Sequence, residues 1–228
     1  MYKSRKLICI IPARSGSVRI KNKNIKLFYG TPIIVRTIKI LKSFKLFDKI
    51  IVSTDSSKIE KIVLRHKIEV LKRNKALADA KTSTIAVIKN ALTNLRSVKN
   101  NDYVFCIYPT SIFVKKKYLI LAINMLSKKT SFVFTAKKYD HPIYRAFFVK
   151  NNKLNLVFKN KVDVNTQKIK ETFFDAAQFY LGKKNNWLKE KEIFSERSKF
   201  LIYSKFSSQD IDDMDDWNVA LKLWKIKS

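Results

Sequence analysis

The chain has 228 residues, of which 46% are apolar and 12% aromatic, so it is not disordered and has enough apolar volume for one domain over residues 1–228. Its formal net charge of +30 is of a kind that nucleic-acid-binding proteins also carry. The basic residues are spread along the whole chain, however, and neither zinc-finger spacing nor an RNA-binding signature occurs. We therefore interpret the charge mainly as a solvated surface that attracts anionic substrates, and we expect no nucleic-acid partner.

The N-terminal segment MYKSRKLICII has basic residues followed by an apolar run, as a secretion signal does. The run LICII is only five residues long and stops at Pro12, which is too short for such a signal, so we interpret it as a buried strand. No apolar run reaches about 18 residues, so no membrane-spanning helix is expected. Cys9 and Cys106 both lie in apolar runs. We expect free, buried thiols and a cytoplasmic protein, with a disulfide as the alternative.

Apolar runs and amphipathic stretches alternate along the chain. The apolar runs, several of them apolar on both faces, predict strands of a covered parallel sheet at Lys6–Ile11, Lys49–Thr54, Ile68–Lys72, Tyr103–Tyr108, Ser131–Ala136 and Lys199–Ser204. Helical spacing predicts helices at Thr31–Phe47, Ser57–His66, Thr84–Arg96, Lys115–Lys128 and Met214–Lys225. The alternation predicts an α/β fold of three layers around a mostly parallel sheet. Residues 138–175 break the pattern and are predicted to form an excursion from that sheet.

The stretch IPARSGSVRIKNKNI, residues 11–25, follows the first predicted strand and so lies at the carboxyl edge of the sheet, where open α/β folds bind ligands. Small residues around Gly16 let the backbone approach a ligand, and the amides of such a turn can form an anion nest. Arg14 supplies a planar fork suited to phosphate, and Lys23 a mobile point charge. The spacing matches neither common phosphate loop. These residues indicate a nucleotide-binding loop, with a plain strand-to-helix connection as the alternative.

Asp210 and Asp212 flank one residue of a predicted extended segment, which places both carboxylates on the same side. Two oxygen ligands at this spacing suit Mg²⁺, with waters and substrate phosphates completing the octahedron. The alternative is a solvated loop that caps the last helix. Asp213, Asp215 and Asp216 are expected to serve that helix terminus, where the dipole favours negative charge.

The loop resembles the signature of the cytidylyltransferases that activate nine-carbon acidic sugars, the CMP-sialic acid synthetase family. That signature runs roughly I-P-A-R-G-G-S-K-x-I-P-x-K-N, and it is matched by Ile11, Pro12, Ala13, Arg14, Gly16, Ser17, Ile20, Lys23 and Asn24. The arginine at position 19 resembles the residue that the pseudaminic acid branch of the family has at this position of the signature. Ser15 replaces a glycine, Val18 a lysine and Lys21 a proline. Because Val18 removes a charge from the loop, Arg19 or Lys21 is a candidate to compensate.

Further segments extend the resemblance over essentially the full length. They are FYGTPIIVRTI, LFDKIIVSTDSSKI, LKRNKALADAKTST, CIYPTSIFV, HPIYRAFFV, NTQKIKETFFDAAQFYLG and QDIDDMDDW. The D-A-x-Q-F-Y run within the sixth of these segments resembles a motif of the pseudaminic acid branch. Ala80 stands where the family has an aspartate, and Ser83 where it has a glycine.

The resemblance implies a reaction in which CTP and a nonulosonic acid give a CMP-sugar and pyrophosphate, for cell-surface or flagellar glycans. The residues that would bind the nucleotide are Ala13, Arg14, Ser15, Gly16, Ser17, Lys23, Asn24, Thr84 and Tyr108. Those that would be catalytic are Arg14, Lys23 and Asp212. The family's Asp-x-Asp pair implies Mg²⁺ on Asp210 and Asp212.

The sugar acid would meet Arg145, Gln178 and Tyr180, although Arg145 is equally a candidate for a dimer interface. A homodimer formed through the excursion is also expected. Three functions compete: activation of pseudaminic acid, activation of sialic, legionaminic or a related acid, and nucleic-acid binding by a degenerate enzyme scaffold. Val18 and Ala80 would be signs of decay in the last of these.

Overall fold

A computed structural model of the protein describes residues 4–74, 79, 82–159 and 170–227. Its strands are β1 (Leu7–Pro12), β2 (Leu27–Phe28), β3 (Thr31–Pro32), β4 (Lys49–Thr54), β5 (Glu69–Lys72), β6 (Tyr103–Cys106), β7 (Phe132–Lys138), β8 (Phe147–Lys150), β9 (Lys153–Leu156), β10 (Phe173–Lys183) and β11 (Lys199–Ile202). Its α-helices are α1 (Ile33–Ser43), α2 (Ser57–Leu64), α3 (Thr84–Thr93), α4 (Lys116–Met125), α5 (Lys184–Lys189) and α6 (Met214–Lys227). Ala80 lies outside the described residues.

The main sheet has seven strands in the order β11-β7-β10-β6-β1-β4-β5. The pairs β1–β4, β1–β6, β4–β5 and β7–β11 are parallel, while β10 runs antiparallel to both of its neighbours. Every strand predicted from the sequence is present, and the mostly parallel α/β sheet is confirmed. Small shifts have local causes: the first helix begins at Ile33 rather than Thr31 because Thr31 and Pro32 pair with β2.

Apolar side chains fill both sides of this sheet, as the double-sided apolar runs predicted. One face is covered by α1, α2 and α4, whose Ile34, Ile38, Val63 and Leu119 pack on alternate residues of the central strands. The other face is covered by α3 and by Trp187 of α5. In β1 the residues Ile8–Ile11 are wholly buried, and each such side chain contributes about 1.5–3 kcal/mol. The three predicted layers are therefore present, and they fix the carboxyl ends of the strands.

The last helix is capped as the sequence predicted. The Asp213 side chain accepts from the Asp216 amide at 2.9 Å, and the Asp216 carboxylate accepts from the amides of Asp212 and Asp213. This reciprocal arrangement satisfies amides that a helix start leaves free. On the apolar face Trp217 is buried against Phe28 in a small core of its own. The cap and this core together hold the preceding segment, with Asp210 and Asp212, against the main domain.

Strand β10 was not predicted as a strand. Its register with β7 shifts between Asp175 and Tyr180, and Ala177 within that irregularity has φ 50°, in the left-handed region. The Asp175 side chain accepts from the Ala177 amide at 2.9 Å, and the Ser111 hydroxyl donates to the Ala177 carbonyl at 3.2 Å. A bulge of this kind interrupts alternation and re-aims a side chain. Here the bulge brings Asp175 to the edge of the sheet where β1 and β6 end.

The excursion predicted at residues 138–175 leaves the sheet after Lys138 and rejoins it at Phe173. The Tyr139 amide donates to the Thr172 carbonyl at 3.0 Å and closes its base. Residues 143–145 form a 3₁₀ turn, and β8 and β9 pair as a separate hairpin. Apolar side chains remain exposed on this hairpin, namely Phe147, Phe148, Val149 and Leu154. Residues 160–169 of the excursion lie outside the described residues.

Both cysteines are free and buried, as expected. Cys9 in β1 and Cys106 in β6 lie in wholly buried positions of neighbouring strands, so burial raises the pKa of each thiol. In the described ranges no helix is both long and apolar enough to cross a membrane.

Candidate active site

A cavity of about 600 Å³ opens at the carboxyl ends of β1, β5 and β6. The loops that follow these strands supply its basic and hydroxyl groups, and the reversed strand β10 supplies Asp175, Ala177 and Tyr180. Of the residues predicted to be functional, those that line it are Arg14, Ser17, Lys23, Asn24, Thr84, Tyr108, Tyr180, Asp210 and Asp212. Residues from opposite ends of the chain thus face one space, at the edge where open α/β sheets bind ligands.

The loop after β1 is held by bonds to its own chain. Its amides at Ala13, Ser15 and Ser17 donate to Ser53, Asp55 and Ser15 respectively. Asn24 is buried, and its side-chain amide donates to the Arg14 carbonyl at 2.9 Å, which closes the loop. Since three amides are already engaged, an anion nest here depends on the other loop amides together with the Arg14 and Lys23 side chains.

Ser15, which departs from the family signature, anchors this loop to the strand end of β4. Its amide and hydroxyl donate to the two carboxylate oxygens of Asp55, at 3.0 and 2.5 Å. Arg73 approaches the same carboxylate at 3.5 Å. Burial alone would raise the pKa of Asp55, but the bonds from Ser15 and the charge of Arg73 outweigh it and lower the pKa. The Ser15 departure therefore adds a tether that a glycine lacks.

Arg73 is a residue that the sequence interpretation passed over. It follows β5, lines the cavity, and has a side chain only 3% exposed. Its Nε has no hydrogen-bond partner among the described residues. A buried, unpaired donor in a cavity wall is costly unless a ligand meets it. The only sequence signal for it was its place after a strand in the LKRNKALADAKTST segment.

Lys23 and Arg19 both reach Asp212. Lys23 Nζ lies 3.3 Å from Asp212 Oδ1 and donates to the Ile211 carbonyl at 2.5 Å, while Arg19 Nη2 lies 2.8 Å from Asp212 Oδ2. Among the residues that the structure describes, none forms such a pair with the neighbouring Asp210. Burial, followed by the charges of Asp212 and Asp175, raises the pKa of Asp210 to about 6, although Lys23 opposes this. The acidic pair thus faces the basic loop directly.

The far wall of the cavity is a chain of hydroxyl groups. Thr84 Oγ1 and Tyr108 Oη are 2.6 Å apart, and the rings of Tyr108 and Tyr180 make an edge contact at 5.8 Å. The Tyr180 hydroxyl donates to Asp175. Burial raises the pKa of both tyrosines, so both remain neutral donors at physiological pH. Ser83, another departure from the family pattern, caps α3 by accepting from the Ala86 amide at 3.2 Å, and so positions Thr84.

Five predicted residues lie away from the cavity lining: Ala13, Ser15, Gly16, Arg145 and Gln178. Gln178 is buried, and its backbone amide donates to the Thr135 hydroxyl. Its side-chain Oε1 has no hydrogen-bond partner in the described part of the chain. Arg145 ends the 3₁₀ turn of the excursion. Neither placement tests the sugar-binding role predicted for them, which remains a prediction. Lys21 also stays outside the lining whereas Lys23 is part of it, a distinction that composition alone could not make.

The sheet and the cavity together define a nucleotidyltransferase fold. Two solved structures share it: CMP:2-keto-3-deoxy-manno-octonic acid synthetase complexed with CTP aligns with a TM-score of 0.73 over 98% of this chain and 100% of its own, at 10% identity. A 4-diphosphocytidyl-2C-methyl-D-erythritol synthase aligns with a TM-score of 0.68 over 97% and 99%, at 12% identity. At such identities the likeness concerns the fold.

The chain belongs to the cytidylyltransferase family, whose model, described as Cytidylyltransferase, matches residues 8–217. It is 33% identical over 97% of both chains to the pseudaminic acid cytidylyltransferase of Campylobacter jejuni subsp. jejuni serotype O:23/36. It is 28% identical to the N-acylneuraminate cytidylyltransferase of Escherichia coli O18:K1:H7, over 98% of this chain and 53% of that one. The resemblance inferred from the loop and the acidic pair is thereby confirmed, and the protein is a CTP-dependent cytidylyltransferase.

Proposed function

We propose that this protein transfers the cytidylyl group of CTP to pseudaminic acid, releasing pyrophosphate and supplying a CMP-sugar for cell-surface or flagellar glycans. The choice of pseudaminic acid as substrate is supported by the 33% identity, over nearly the whole of both chains, to a pseudaminic acid cytidylyltransferase. The cavity fits this chemistry because a basic loop and an acidic pair both line it.

The residues of the cavity would have different roles, which follow from the chemistry of their side chains. Arg14 and Lys23 would bind the phosphates, since a guanidinium fork and a mobile ammonium suit oxyanions. Lys23 reaches Asp212 and would thus connect the phosphates to the acidic pair. Phosphoryl transfer of this kind depends on in-line positioning and charge stabilisation rather than on a covalent intermediate. Asn24 would act through the loop conformation, because its side chain binds the Arg14 carbonyl.

Asp210 and Asp212 fit a divalent cation. Both line the cavity, and the like charge of Asp212 helps to raise the pKa of Asp210, a repulsion that a cation would relieve. In the part of the chain that the structure describes, no cluster of three or more His, Cys, Asp or Glu side chains could hold a metal by itself. The remaining ligands would be water and substrate oxygens, as Mg²⁺ prefers. When bound, Mg²⁺ would screen the charge that develops on pyrophosphate.

The excursion supports a homodimer of chains that each form a single domain over residues 1–228. Its hairpin exposes Phe147, Phe148, Val149 and Leu154 on a two-stranded sheet that is separate from the main sheet. Contiguous exposed apolar side chains of this kind mark interaction surfaces. Arg145 lies directly before the hairpin and would lie at or near that interface. A cytoplasmic location is proposed because both cysteines are unpaired.

The test is pyrophosphate release with CTP, Mg²⁺ and a panel of nonulosonic acids. We expect pseudaminic acid to give the highest kcat/KM and Asp212→Ala and Arg14→Ala to lose activity. Equal or better turnover of N-acetylneuraminic or legionaminic acid would replace the substrate but keep the reaction class. No turnover with any acid, combined with salt-sensitive binding of nucleic acid, would instead support a degenerate scaffold.

A further inference from the structure

Asp175 is a carboxylate in the cavity wall with no role in the site described above. It lines the cavity from the bulged strand β10. One of its oxygens accepts from the Ala177 amide at 2.9 Å, and the other accepts from the Tyr180 hydroxyl. Each oxygen keeps a further lone pair, so the carboxylate can accept one more proton donor from the cavity side.

Two of the other acidic side chains that line the cavity, Asp212 and Asp79, are engaged differently. Asp212 is paired with Arg19 and Lys23, and Asp79 accepts from the amide and hydroxyl of Thr82. Asp175 forms no salt bridge within the described ranges, and both donors that hold it are neutral. Burial raises the pKa of Asp175 although the bonds from Tyr180 and Ala177 oppose it. A carboxylate held in this way is more basic than one neutralised by a cation.

Asp175 also lies near the acidic pair. Asp175 and Asp210 both line the cavity, and the charge of Asp175 is among the causes that raise the pKa of Asp210. The Tyr180 hydroxyl donates to Asp175 and also interacts with Tyr108. The Tyr108 hydroxyl in turn is hydrogen-bonded to Thr84. Asp175 therefore lines the same cavity as the acidic pair and as the hydroxyl groups of Tyr180, Tyr108 and Thr84.

We propose that Asp175 is the general base of the reaction, a role that rests on the proposed function. As the sugar hydroxyl oxygen attacks the α-phosphorus of CTP, its proton passes to a carboxylate oxygen of Asp175. The new P–O bond forms while the bond from the α-phosphorus to the pyrophosphate oxygen breaks, and pyrophosphate leaves with the electron pair. Asp175 then returns the proton to water, so the enzyme ends unchanged.

The titratable groups that face Asp175 are Cys106 and Tyr108 from β6 and the turn after it, Tyr180 from its own strand, and Asp210 from the segment before α6. Burial raises the pKa of the thiol and of both phenols, so none of them ionises below neutral pH. Only Asp210 shares the acidic range, and saturating Mg²⁺ keeps it ionised during the measurement.

The test compares Asp175→Asn with the wild-type protein in steady-state kinetics with CTP and the best sugar acid across a range of pH. Asparagine keeps the acceptor for the Ala177 amide but cannot take a proton. We expect kcat to fall by about 10²–10⁴-fold, KM for CTP to stay within about threefold, and the acid limb of the kcat profile to disappear. Asp140→Asn, which alters an exposed carboxylate paired with Lys205, is the matched control and keeps wild-type kinetics.

If Asp175→Asn does not fold, a second variant tests whether Asp175 is the general base. Tyr180→Phe removes a bond that lowers the pKa of Asp175, so the acid limb of kcat should move to higher pH. An unchanged limb overturns the role. So does an Asp175→Asn protein with kcat within threefold of an active wild type, and that result leaves the proposed function intact. A wild-type protein that releases no pyrophosphate with any acid overturns both.

Discussion

Lys23 Nζ lies 3.3 Å from Asp212 Oδ1, although the two residues are 189 positions apart in the chain. Lys23 also donates to the Ile211 carbonyl at 2.5 Å. The basic loop after β1 and the acidic segment before α6 are therefore in direct contact. Movement of either side of this contact would change both the loop proposed to bind phosphate and the acidic pair proposed to hold a cation.

Asp212→Ala should reduce kcat by at least about 100-fold while changing the melting temperature little. The side chain is 44% exposed, and ion pairs this accessible contribute only about 0–1 kcal/mol to stability. Asp215→Ala is the matched control, because Asp215 is exposed in the first turn of α6 and lies outside the cavity lining. Pyrophosphate release and thermal melting of the two variants check this. Equal loss of activity in both would contradict the assignment of Asp212.

Gly16→Ala should leave the melting temperature unchanged and weaken CTP binding by about tenfold. No described residue has an atom within 4 Å of a Cβ built at Gly16, so these residues impose no steric need for glycine there. The reason that we propose for a glycine at this position is close approach of the backbone to phosphate. Calorimetric titration with CTP measures the effect.

Gly182→Ala is the steric counterpart. A Cβ at Gly182 would lie 2.7 Å from the Phe132 ring and 3.2 Å from Trp187 Nε1, so we expect a loss of about 1–3 kcal/mol in unfolding free energy. If Gly16→Ala destabilised the protein as much as Gly182→Ala does, the ligand-based explanation for Gly16 would be wrong.

Ala177→Gly should stabilise the protein. Ala177 has φ 50°, a conformation that costs a side-chain-bearing residue about 1–2 kcal/mol, while glycine adds back some unfolded-state entropy. The net gain expected is about 0.5–1 kcal/mol, or roughly 1–4 °C in melting temperature. Ala176→Gly, at the preceding buried position with no positive φ, should destabilise instead. Urea unfolding of the two variants gives the comparison.

Asp55 should contribute stability that acid removes. Burial opposes its ionisation, but the bonds from Ser15 and the charge of Arg73 lower its pKa below the usual value. Its contribution is therefore complete above about pH 4, the ordinary carboxyl range, and is lost as pH falls through the lowered pKa. Asp55→Asn should lie about 1–3 kcal/mol below the wild type from pH 5 to 8. The difference should vanish in stronger acid, and a constant difference down to pH 3 would refute this.

Arg19→Ala should strengthen binding of Mn²⁺, used as a spectroscopic substitute for Mg²⁺, by up to about fivefold. Arg19 Nη2 lies 2.8 Å from Asp212 Oδ2, so it would compete for that oxygen with the cation proposed to bind there. The effect is small because the Arg19 side chain is 63% exposed and water screens the pair. Mn²⁺ titration by electron paramagnetic resonance measures it. Unchanged or weaker binding would mean that Arg19 does not compete.

The sheet was largely predictable because its parallel strands are buried on both faces and read as continuous apolar runs. Strand β10 was missed because the bulge around Ala177 breaks the alternation that identifies a strand. The loop and the Asp210–Asp212 pair were predictable because their chemistry is contiguous in the sequence. Asp175 and Arg73 were not, since each is a single polar residue that only the strand order brings to the cavity.

The excursion begins and ends on hydrogen-bonded neighbours, because β7 and β10 pair directly and the Tyr139 amide reaches the Thr172 carbonyl. A segment inserted between adjacent strands can be lengthened, shortened or exchanged without altering the register of either one. Evolution can therefore diversify the exposed hairpin while selection keeps the reaction centre constant. In protein engineering the same junction is a natural point for grafting a foreign hairpin, with catalysis as the readout that the sheet has survived.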